Sequence, residues 1–309
     1  MTIRSATLAV PDAELYYEVT GAGPVLMIGQ SGEGDARRTT AMAERLAEHY
    51  TVVTYDRRGL SRTVVADPSA PVPPETHAED LHHLLAALTD KPAFMLGCSL
   101  GALYGLHLAV AHPGQLSLLI AHDVAAPGLL PPADRARIGR TLATVETTAR
   151  GGDWRRAIAM VAAATGLDPG RMKTESGVTT VAMTDDRAAN MTYYLTNDVG
   201  ELRRSTLGPD EVAIASKGTR IISAAGADSK NAWNHQCAEV LAALLGLPLV
   251  EFPGGHNGNT AFPHAFAARV HALLSADDHR DHLAAGPPSP LGRAGHLHGR
   301  AHGGDTEVE

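Results

Sequence analysis

Apolar residues along this chain follow two patterns that alternate from one segment to the next. Short, continuous apolar or β-branched runs predict buried strands, and stretches with apolar positions three or four residues apart predict helices. Buried strands that alternate with helices indicate an α/β fold, with a mostly parallel sheet covered on both faces. The runs that predict strands are ATLAV, AELYYEV, GAGPVLMIGQ, YTVVTYD, PAFMLG, LSLLIAHD, TRIISAAG and PLVEFPG.

One long segment interrupts this alternation. From residue 127 to 210 only helical patterns are found, such as DRARIGRTLATVETTAR, so this segment predicts a helical insertion into the α/β core. We therefore expect core regions at 1–126 and 211–275 on either side of the insertion. Residues 276–309 are rich in Gly, Pro, His and charge without periodicity, which predicts a disordered tail.

Composition and charge limit the kinds of partner. The chain has 309 residues, of which 44% are hydrophobic and 19% charged, values typical of a globular protein with a sizeable core. Its net charge of -8 argues against a surface for nucleic acid or an anionic membrane. Two cysteines, Cys98 and Cys237, are too few for a disulfide framework, so we expect a cytoplasmic protein. The expected partner is a small-molecule substrate, and the expected oligomeric state is a monomer or a homodimer.

No cofactor or metal is expected. The tail contains several histidines, but their spacing fits no standard metal site. These are His279, His282, His296, His298 and His302.

The stretch GCSLG places Ser99 between two glycines, where a buried strand gives way to a helical pattern. A serine on so tight a turn is exposed as a nucleophile, and Gly97 and Gly101 relieve crowding against the neighbouring backbone. The N–H of Leu100, at the start of the helix, is then placed to donate to an oxyanion. The alternative is a turn of small residues kept only for packing.

A candidate general base follows the last predicted strand. His256 lies in the glycine-rich loop PGGHNGN, where its side chain is free to turn toward the carboxyl edge of the sheet. The other histidines of the folded region, such as His82 and His107, lie in or beside helices and are interpreted as surface or packing residues.

Two carboxylates compete for the acid that orients this histidine. Asp228, in the strand end IISAAGADS, lies between Ser99 and His256 in sequence, which is one of the chain orders in which this triad occurs. Asp123, one predicted strand earlier in LLIAHD, also meets the requirement. The sequence analysis favours Asp228 and keeps Asp123 as the alternative.

A second oxyanion donor is expected in the loop GQSGEGD after the strand PVLMI. Its glycine-rich backbone can approach a substrate closely, and the amides of Gln30 and Ser31 are the candidates.

Taken in order, these motifs resemble the α/β-hydrolase fold family over about residues 5 to 275. The resemblance rests on YDRRGLSRT, GCSLGA, GAD and GGHNGN. It implies an eight-stranded, mostly parallel sheet, with the insertion acting as a helical lid, and a structural role for the turn containing Asp56, Arg58 and Gly59. The chain departs from the family in one place, since many members have His-Gly in the oxyanion loop where this chain has Gly29-Gln30.

The reaction that this constellation favours is hydrolysis of an ester, thioester or lactone through an acyl-enzyme on Ser99. Apolar residues of the insertion, among them Met183, Met191 and Tyr194, are predicted to line a pocket for a bulky, largely hydrophobic substrate. The alternatives are a non-hydrolytic cyclase, acyltransferase or small-molecule binder, and a C–C bond hydrolase or perhydrolase that uses the same triad.

Overall fold

The computed structural model describes residues 2–167, 170, 173–178 and 182–284, with side chains up to residue 276. Its strands coincide with the eight apolar runs of the sequence, and one further strand of two residues, Val64–Val65, lies between them. The strands are β1 (Arg4–Val10), β2 (Ala13–Thr20), β3 (Val25–Gly29), β4 (Thr51–Tyr55), β5 (Val64–Val65), β6 (Ala93–Cys98), β7 (Leu116–His122), β8 (Arg220–Gly226) and β9 (Val250–Phe252).

All nine strands found among the described residues belong to one sheet. Eight follow the order β1-β2-β4-β3-β6-β7-β8-β9, and the short β5 pairs with β2. From β4 to β9 the neighbouring strands are parallel, whereas β1 and β2 pair in the antiparallel sense at one edge. The mostly parallel sheet predicted from the sequence is confirmed, and the predicted count of eight omits only β5, which is too short to leave a pattern.

Helices cover both faces of this sheet. The helices are α1 (Thr40–Leu46), α2 (Pro74–Leu88), α3 (Leu100–Ala111), α4 (Pro132–Arg150), α5 (Trp154–Ala164), α6 (Asp185–Tyr193), α7 (Val199–Arg204), α8 (Pro209–Gly218), α9 (Trp233–Leu245), α10 (Gly258–Ala261) and α11 (Pro263–Ala284). A π-helical turn, Tyr194–Asp198, joins α6 to α7.

Two apolar clusters form the core, one on each face. Alternation along β6 shows the division, because Met95 packs in the larger cluster with α2, α3 and the insertion, whereas Phe94 and Leu96 pack in the other. The smaller cluster also holds Phe266 and Val270 of α11. Burial on both faces explains why the central strands are continuous apolar runs.

The segment between β7 and β8 is helical in its described part, which contains α4 to α7 and the π-helical turn. At the other end of the chain, helix α11 continues to Ala284, past residue 276 where the sequence analysis begins its disordered tail. Each residue added to an existing helix gains one hydrogen bond without a new nucleation cost, so a helix can extend past its last apolar contact. The rest of the predicted tail, 285–309, lies outside the described residues.

Register places three loops beside each other at the carboxyl edge of the sheet. Gly29 at the end of β3 pairs with Gly97 of β6, and Cys98 at the end of β6 pairs with His122 of β7. The chain segments that follow β3, β6 and β7 therefore emerge side by side, at the edge where open parallel sheets bind ligands. None of the described helices is both long and apolar enough to cross a bilayer.

Candidate active site

Ser99 occupies the turn between β6 and α3 in a strained conformation, with φ 55° and ψ -111°. Positive φ is uncommon for residues other than glycine, and such strain is concentrated at functional sites. The turn also requires close contact between backbones. A Cβ on Gly101 would collide with the carbonyl of Gly29, so the loop after β3 lies directly against the first turn of α3.

The predicted oxyanion donors fall on the two sides of this contact. Leu100 is the first residue of α3, so its N–H has no acceptor within the helix. Gln30 directly follows β3, and its side chain is turned away to donate from Nε2 to Oγ1 of Thr39 at 2.6 Å. Ser31 follows in the same loop, where its carbonyl accepts from the N–H of Gly34. The loop after β3 and the first turn of α3 thus lie against each other at Gly29 and Gly101, and the donor role of these amides stays a prediction.

The structure pairs His256 with Asp123, not with the favoured Asp228. Nδ1 of His256 lies 3.2 Å from Oδ2 of Asp123, and both side chains are buried, 7% and 0% exposed. Asp228 is exposed to solvent, and its backbone N–H donates to the carbonyl of Gly254. The sequence-based preference is therefore corrected in favour of the alternative it retained.

The physical reason is burial of the side chain. Asp123 is buried at the end of β7, whereas Asp228 is exposed even though its loop lies next to the histidine loop. The N–H of Ser99 donates to the carbonyl of His122 at 2.9 Å, which leaves the next residue, Asp123, beside the nucleophile turn. Asp123 has φ 43°, so it is the second residue at this edge with a strained backbone. Sequence order alone cannot separate two carboxylates that follow adjacent strands.

The charge of Asp123 is stabilised by its surroundings. Burial by itself raises the pKa of this carboxyl, but the imidazoles of His122 and His256 and the hydroxyl of Ser229 outweigh burial, so the pKa lies below its usual value. Because burial lowers the pKa of His122 to about 4, that ring is neutral at pH 7. The hydrogen bonds from His256 and Ser229 are then the contacts that keep Asp123 ionised.

Sequence reasoning missed the residues that hold Asp123 in place. Oγ of Ser229 lies 3.1 Å from Oδ1 of Asp123 and 3.1 Å from Nδ1 of His235. The side-chain amide of Asn234 donates to the carbonyl of Asp123 at 3.3 Å. All three come from the loop after β8 and the start of α9. In the sequence, only their closeness to Asp228 could have pointed to them.

The helical insertion contacts the loop after β3. Nη2 of Arg57, which directly follows Asp56, donates to the carbonyl of Gly32 and to Oδ2 of Asp198, each at 2.6 Å. A Cβ on Gly32 would lie 2.6 Å from Cε2 of Tyr194, so only glycine lets this ring pack on the loop. Segments far apart in sequence therefore meet at the predicted oxyanion loop.

Two further contacts join the insertion to the same region. Arg187 of α6 donates from Nε and Nη2 to the carboxylate of Glu33 at 2.6 and 2.7 Å. The side-chain oxygen of Asn190 accepts from the N–H of Ser61 at 3.0 Å. A bidentate arginine–carboxylate pair fixes orientation as well as distance, so the loop and the insertion are held in one arrangement.

The three predicted substrate-binding residues fall in different environments. Tyr194 packs on Gly32 beside the nucleophile turn, and Met191 is buried in α6. Met183 is 50% exposed, which does not support contact with an enclosed substrate. Among the described residues no group of histidine, cysteine and acidic side chains is suited to hold a metal ion. The tail histidines named above have side chains outside the described residues.

Comparison with known proteins places this geometry in context. The model of the alpha/beta hydrolase family matches residues 28–270. The chain is 33% identical over 279 residues to the uncharacterized hydrolase YraK of Bacillus subtilis (strain 168), covering 90% of this chain and 98% of YraK. A crystal structure of a hydrolase from Pseudomonas aeruginosa PA01 is similar with a TM-score of 0.62 and 26% identity, covering 87% of this chain and 98% of that chain. The enol-lactonase from Burkholderia xenovorans LB400 shares the fold, with a TM-score of 0.66 and 18% identity over 87% of this chain and all (100%) of that chain.

Proposed function

Because the chain belongs to the alpha/beta hydrolase family, we propose that it is a serine hydrolase that cleaves an ester, thioester or lactone of a small molecule. The observation that carries this proposal is the buried pair of His256 and Asp123, 3.2 Å apart, on the loops beside the strained Ser99 turn. A nucleophile, an orienting acid and a base at one sheet edge are the parts that acyl transfer needs.

In the proposed reaction, Nδ1–H of His256 donates to Asp123, which leaves Nε2 free to accept a proton. Nε2 takes the proton of Ser99 as Oγ attacks the acyl carbon, and the N–H groups of Leu100 and of the loop after β3 stabilise the oxyanion. The imidazolium then protonates the leaving group as the C–O or C–S bond breaks. Water, deprotonated by His256, attacks the acyl-enzyme and releases the acid and the free Ser99 hydroxyl.

Asp123 supports this sequence by fixing the histidine tautomer and by stabilising the imidazolium. Its low pKa keeps it ionised at neutral pH, so a negative charge faces the ring when the ring becomes positive. The insertion is proposed to act as a lid, because Tyr194 packs on Gly32 of the predicted oxyanion loop and Asp198 binds Arg57, which also binds the carbonyl of Gly32. Excluding water there strengthens the electrostatic stabilisation of the transition state.

The proposal is tested by labelling with a fluorophosphonate, which reacts with an activated serine. We expect label on Ser99 of the folded protein and none on Ser99→Ala, whose kcat on the best substrate should fall by about 10⁴ or more. A panel of p-nitrophenyl esters of rising chain length, beside lactones, identifies that substrate. Folded protein that takes no label and hydrolyses none of these compounds would reject the proposal in favour of a non-hydrolytic binder.

A further inference from the structure

A cleft of about 330 Å³ is lined by residues other than the three of the proposed triad. It lies between the chain that enters α1, helix α6 of the insertion and helix α10, which begins two residues after His256. Its lining includes Thr39, the residue that accepts the hydrogen bond of Gln30, and Asn257, which directly follows the histidine. The cleft thus adjoins both the predicted oxyanion loop and the histidine loop.

The charge of its described lining is one-sided. Three arginines, Arg37, Arg38 and Arg187, line this cleft, and no aspartate or glutamate is found among its described lining residues. The protein as a whole has a net charge of -8, so a cluster of cations is not a general property of this surface. A concave site of this size with convergent cationic donors is suited to a small ligand that carries negative charge.

Two of these arginines already have carboxylate partners. Arg187 holds Glu33 through two hydrogen bonds, and Arg37 donates to Asp35 at 2.6 Å. These partners balance the charges of the two arginines and are not among the described lining residues of the cleft. Arg37 and Arg187 therefore contribute little net positive charge to the cleft.

Arg38 differs from both. Its side chain is only 15% exposed, and its one charged contact is 3.3 Å from Nη2 to Oε1 of Glu33, an oxygen that Arg187 already occupies. Its guanidinium forms no hydrogen bond to any residue that the structure describes. Burial lowers the pKa of Arg38, and Glu33 only partly offsets this, although a guanidinium stays charged at any physiological pH. The largely buried guanidinium of Arg38 thus shares the carboxylate of Glu33 with Arg187.

Neutral donors lie in the same cleft. The side-chain amides of Asn257 and Asn259 line it, and neither amide is hydrogen bonded within the described ranges of the chain. Asn259 is only 3% exposed, so its amide has little access to bulk water. These amides and Arg38 are therefore available to a ligand in the cleft that accepts hydrogen bonds.

We propose that this cleft binds an anionic group, a carboxylate or a phosphate, with Arg38 as its charged receptor and Asn257 and Asn259 as neutral donors. The group belongs either to the substrate, whose acyl part would extend past His256, or to a free inorganic anion. The first source deepens the proposed function and rests on it. The second source does not depend on hydrolysis.

The first experiment tests the substrate source. It compares kcat/KM for p-nitrophenyl hemisuccinate and p-nitrophenyl butyrate. The acyl chain of the first ends in a carboxylate, and that of the second ends in a methyl group. We expect the wild-type protein to prefer the acidic ester, and Arg38→Met to lower the acidic-to-neutral ratio by about tenfold or more, because a charge-assisted hydrogen bond is lost. Arg38→Lys should keep part of the preference. Arg45→Met, which removes a surface arginine of α1 that is 59% exposed, is the matched control and should leave the ratio unchanged.

The second experiment tests the free anion without using catalysis. Inorganic phosphate, compared with chloride at equal ionic strength, should raise the Tm of the Ser99→Ala protein by several degrees and should have no such effect on Ser99→Ala combined with Arg38→Met. A phosphate effect with no ester preference assigns the cleft to a free anion. If Arg38→Met does not fold, Arg38→Lys takes its place. The effect of phosphate on its Tm is then compared with the effect on the Tm of the wild-type protein.

The outcomes separate this inference from the proposed function. Ester hydrolysis with neither an acidic preference nor a phosphate effect would overturn the anion site and leave the hydrolase intact. Arg38-dependent binding of phosphate by a protein that takes no fluorophosphonate label and hydrolyses none of the esters or lactones would reject the hydrolase and support the anion site.

Discussion

Arg57 and Asp198 form an ion pair inside the protein, with 2.6 Å between Nη2 and Oδ2 and side chains 2% and 1% exposed. The same nitrogen of Arg57 also holds the carbonyl of Gly32. Burial raises the pKa of Asp198 to about 6 even though Arg57 favours its charged form. One arginine therefore links the helical insertion to the predicted oxyanion loop, at an electrostatic cost that buried ion pairs commonly carry.

Removing the carboxylate of this pair should reduce both stability and turnover. Asp198→Ala leaves the buried charge of Arg57 without a partner, which costs about 3–5 kcal/mol in the free energy of unfolding. The control Asp186→Ala removes a carboxylate of the insertion that is 64% exposed and should change stability little. Denaturant unfolding of both variants measures the difference.

The double variant Arg57→Met with Asp198→Leu separates stability from positioning. Replacing both charges with apolar side chains should restore much of the stability, but kcat should stay low because the carbonyl of Gly32 has lost its donor. Full recovery of kcat together with stability would mean that Arg57 does not position the loop.

The acid of the proposed triad is decided by comparing two substitutions. Asp123→Asn should lower kcat by about 10⁴, because an amide does not hold the imidazole in the required tautomer. Asp228→Asn should change kcat only slightly, because Asp228 is exposed. Steady-state kinetics on both proteins, with circular dichroism to verify folding, gives the ranking. The opposite ranking would return the acid to Asp228.

A buried histidine should make the protein sensitive to acid. His122 is 0% exposed, its ring packs edge-on against Phe252 and Phe266, and neither ring nitrogen is hydrogen bonded within the part of the chain that the structure describes. Burial lowers its pKa to about 4, below the usual value of 6.5. The folded state therefore binds fewer protons than the unfolded state between these values, and stability falls as the pH drops from 6.5 toward 4.

Substituting this residue measures the effect. His122→Leu should remove up to about 3 kcal/mol of the stability difference between pH 6.5 and pH 4. His112→Leu, in which the lost imidazole is partly exposed and lies 2.9 Å from Glu79, is the control. Urea unfolding at the two pH values gives the comparison, and an unchanged pH dependence in His122→Leu would show that His122 is not the titrating group.

The insertion should influence the choice of substrate through Tyr194. Its ring packs on Gly32, so Tyr194→Ser should alter the preference for acyl chain length, whereas Tyr194→Phe keeps the ring and should not. Met191→Ser should act in the same direction, and the exposed Met183→Ser should have no effect. A series of p-nitrophenyl esters measures KM and kcat for each variant. Identical chain-length profiles for Tyr194→Ser and the wild type would place the substrate elsewhere.

The order of strands and helices along the chain, and the position of the turn that carries Ser99, could be predicted from the sequence alone. These features are local, because alternation between apolar runs and helical spacing needs no knowledge of distant residues. The glycines beside Ser99 are equally readable, since a tight turn demands them within a few positions. Even the two candidate acids, Asp123 and Asp228, could be named from strand ends alone.

Which carboxylate meets His256 is visible only in the folded protein. The outcome depends on Asp123 being buried against the imidazole and Asp228 being exposed, and packing of this kind is a long-range property that no local pattern encodes. The same holds for Arg57 and Asp198, which are 141 residues apart in sequence. The arginine cleft also could not be predicted from the sequence. Arg38 shares Glu33 with Arg187 only because helix α6 of the insertion packs beside the chain that enters α1.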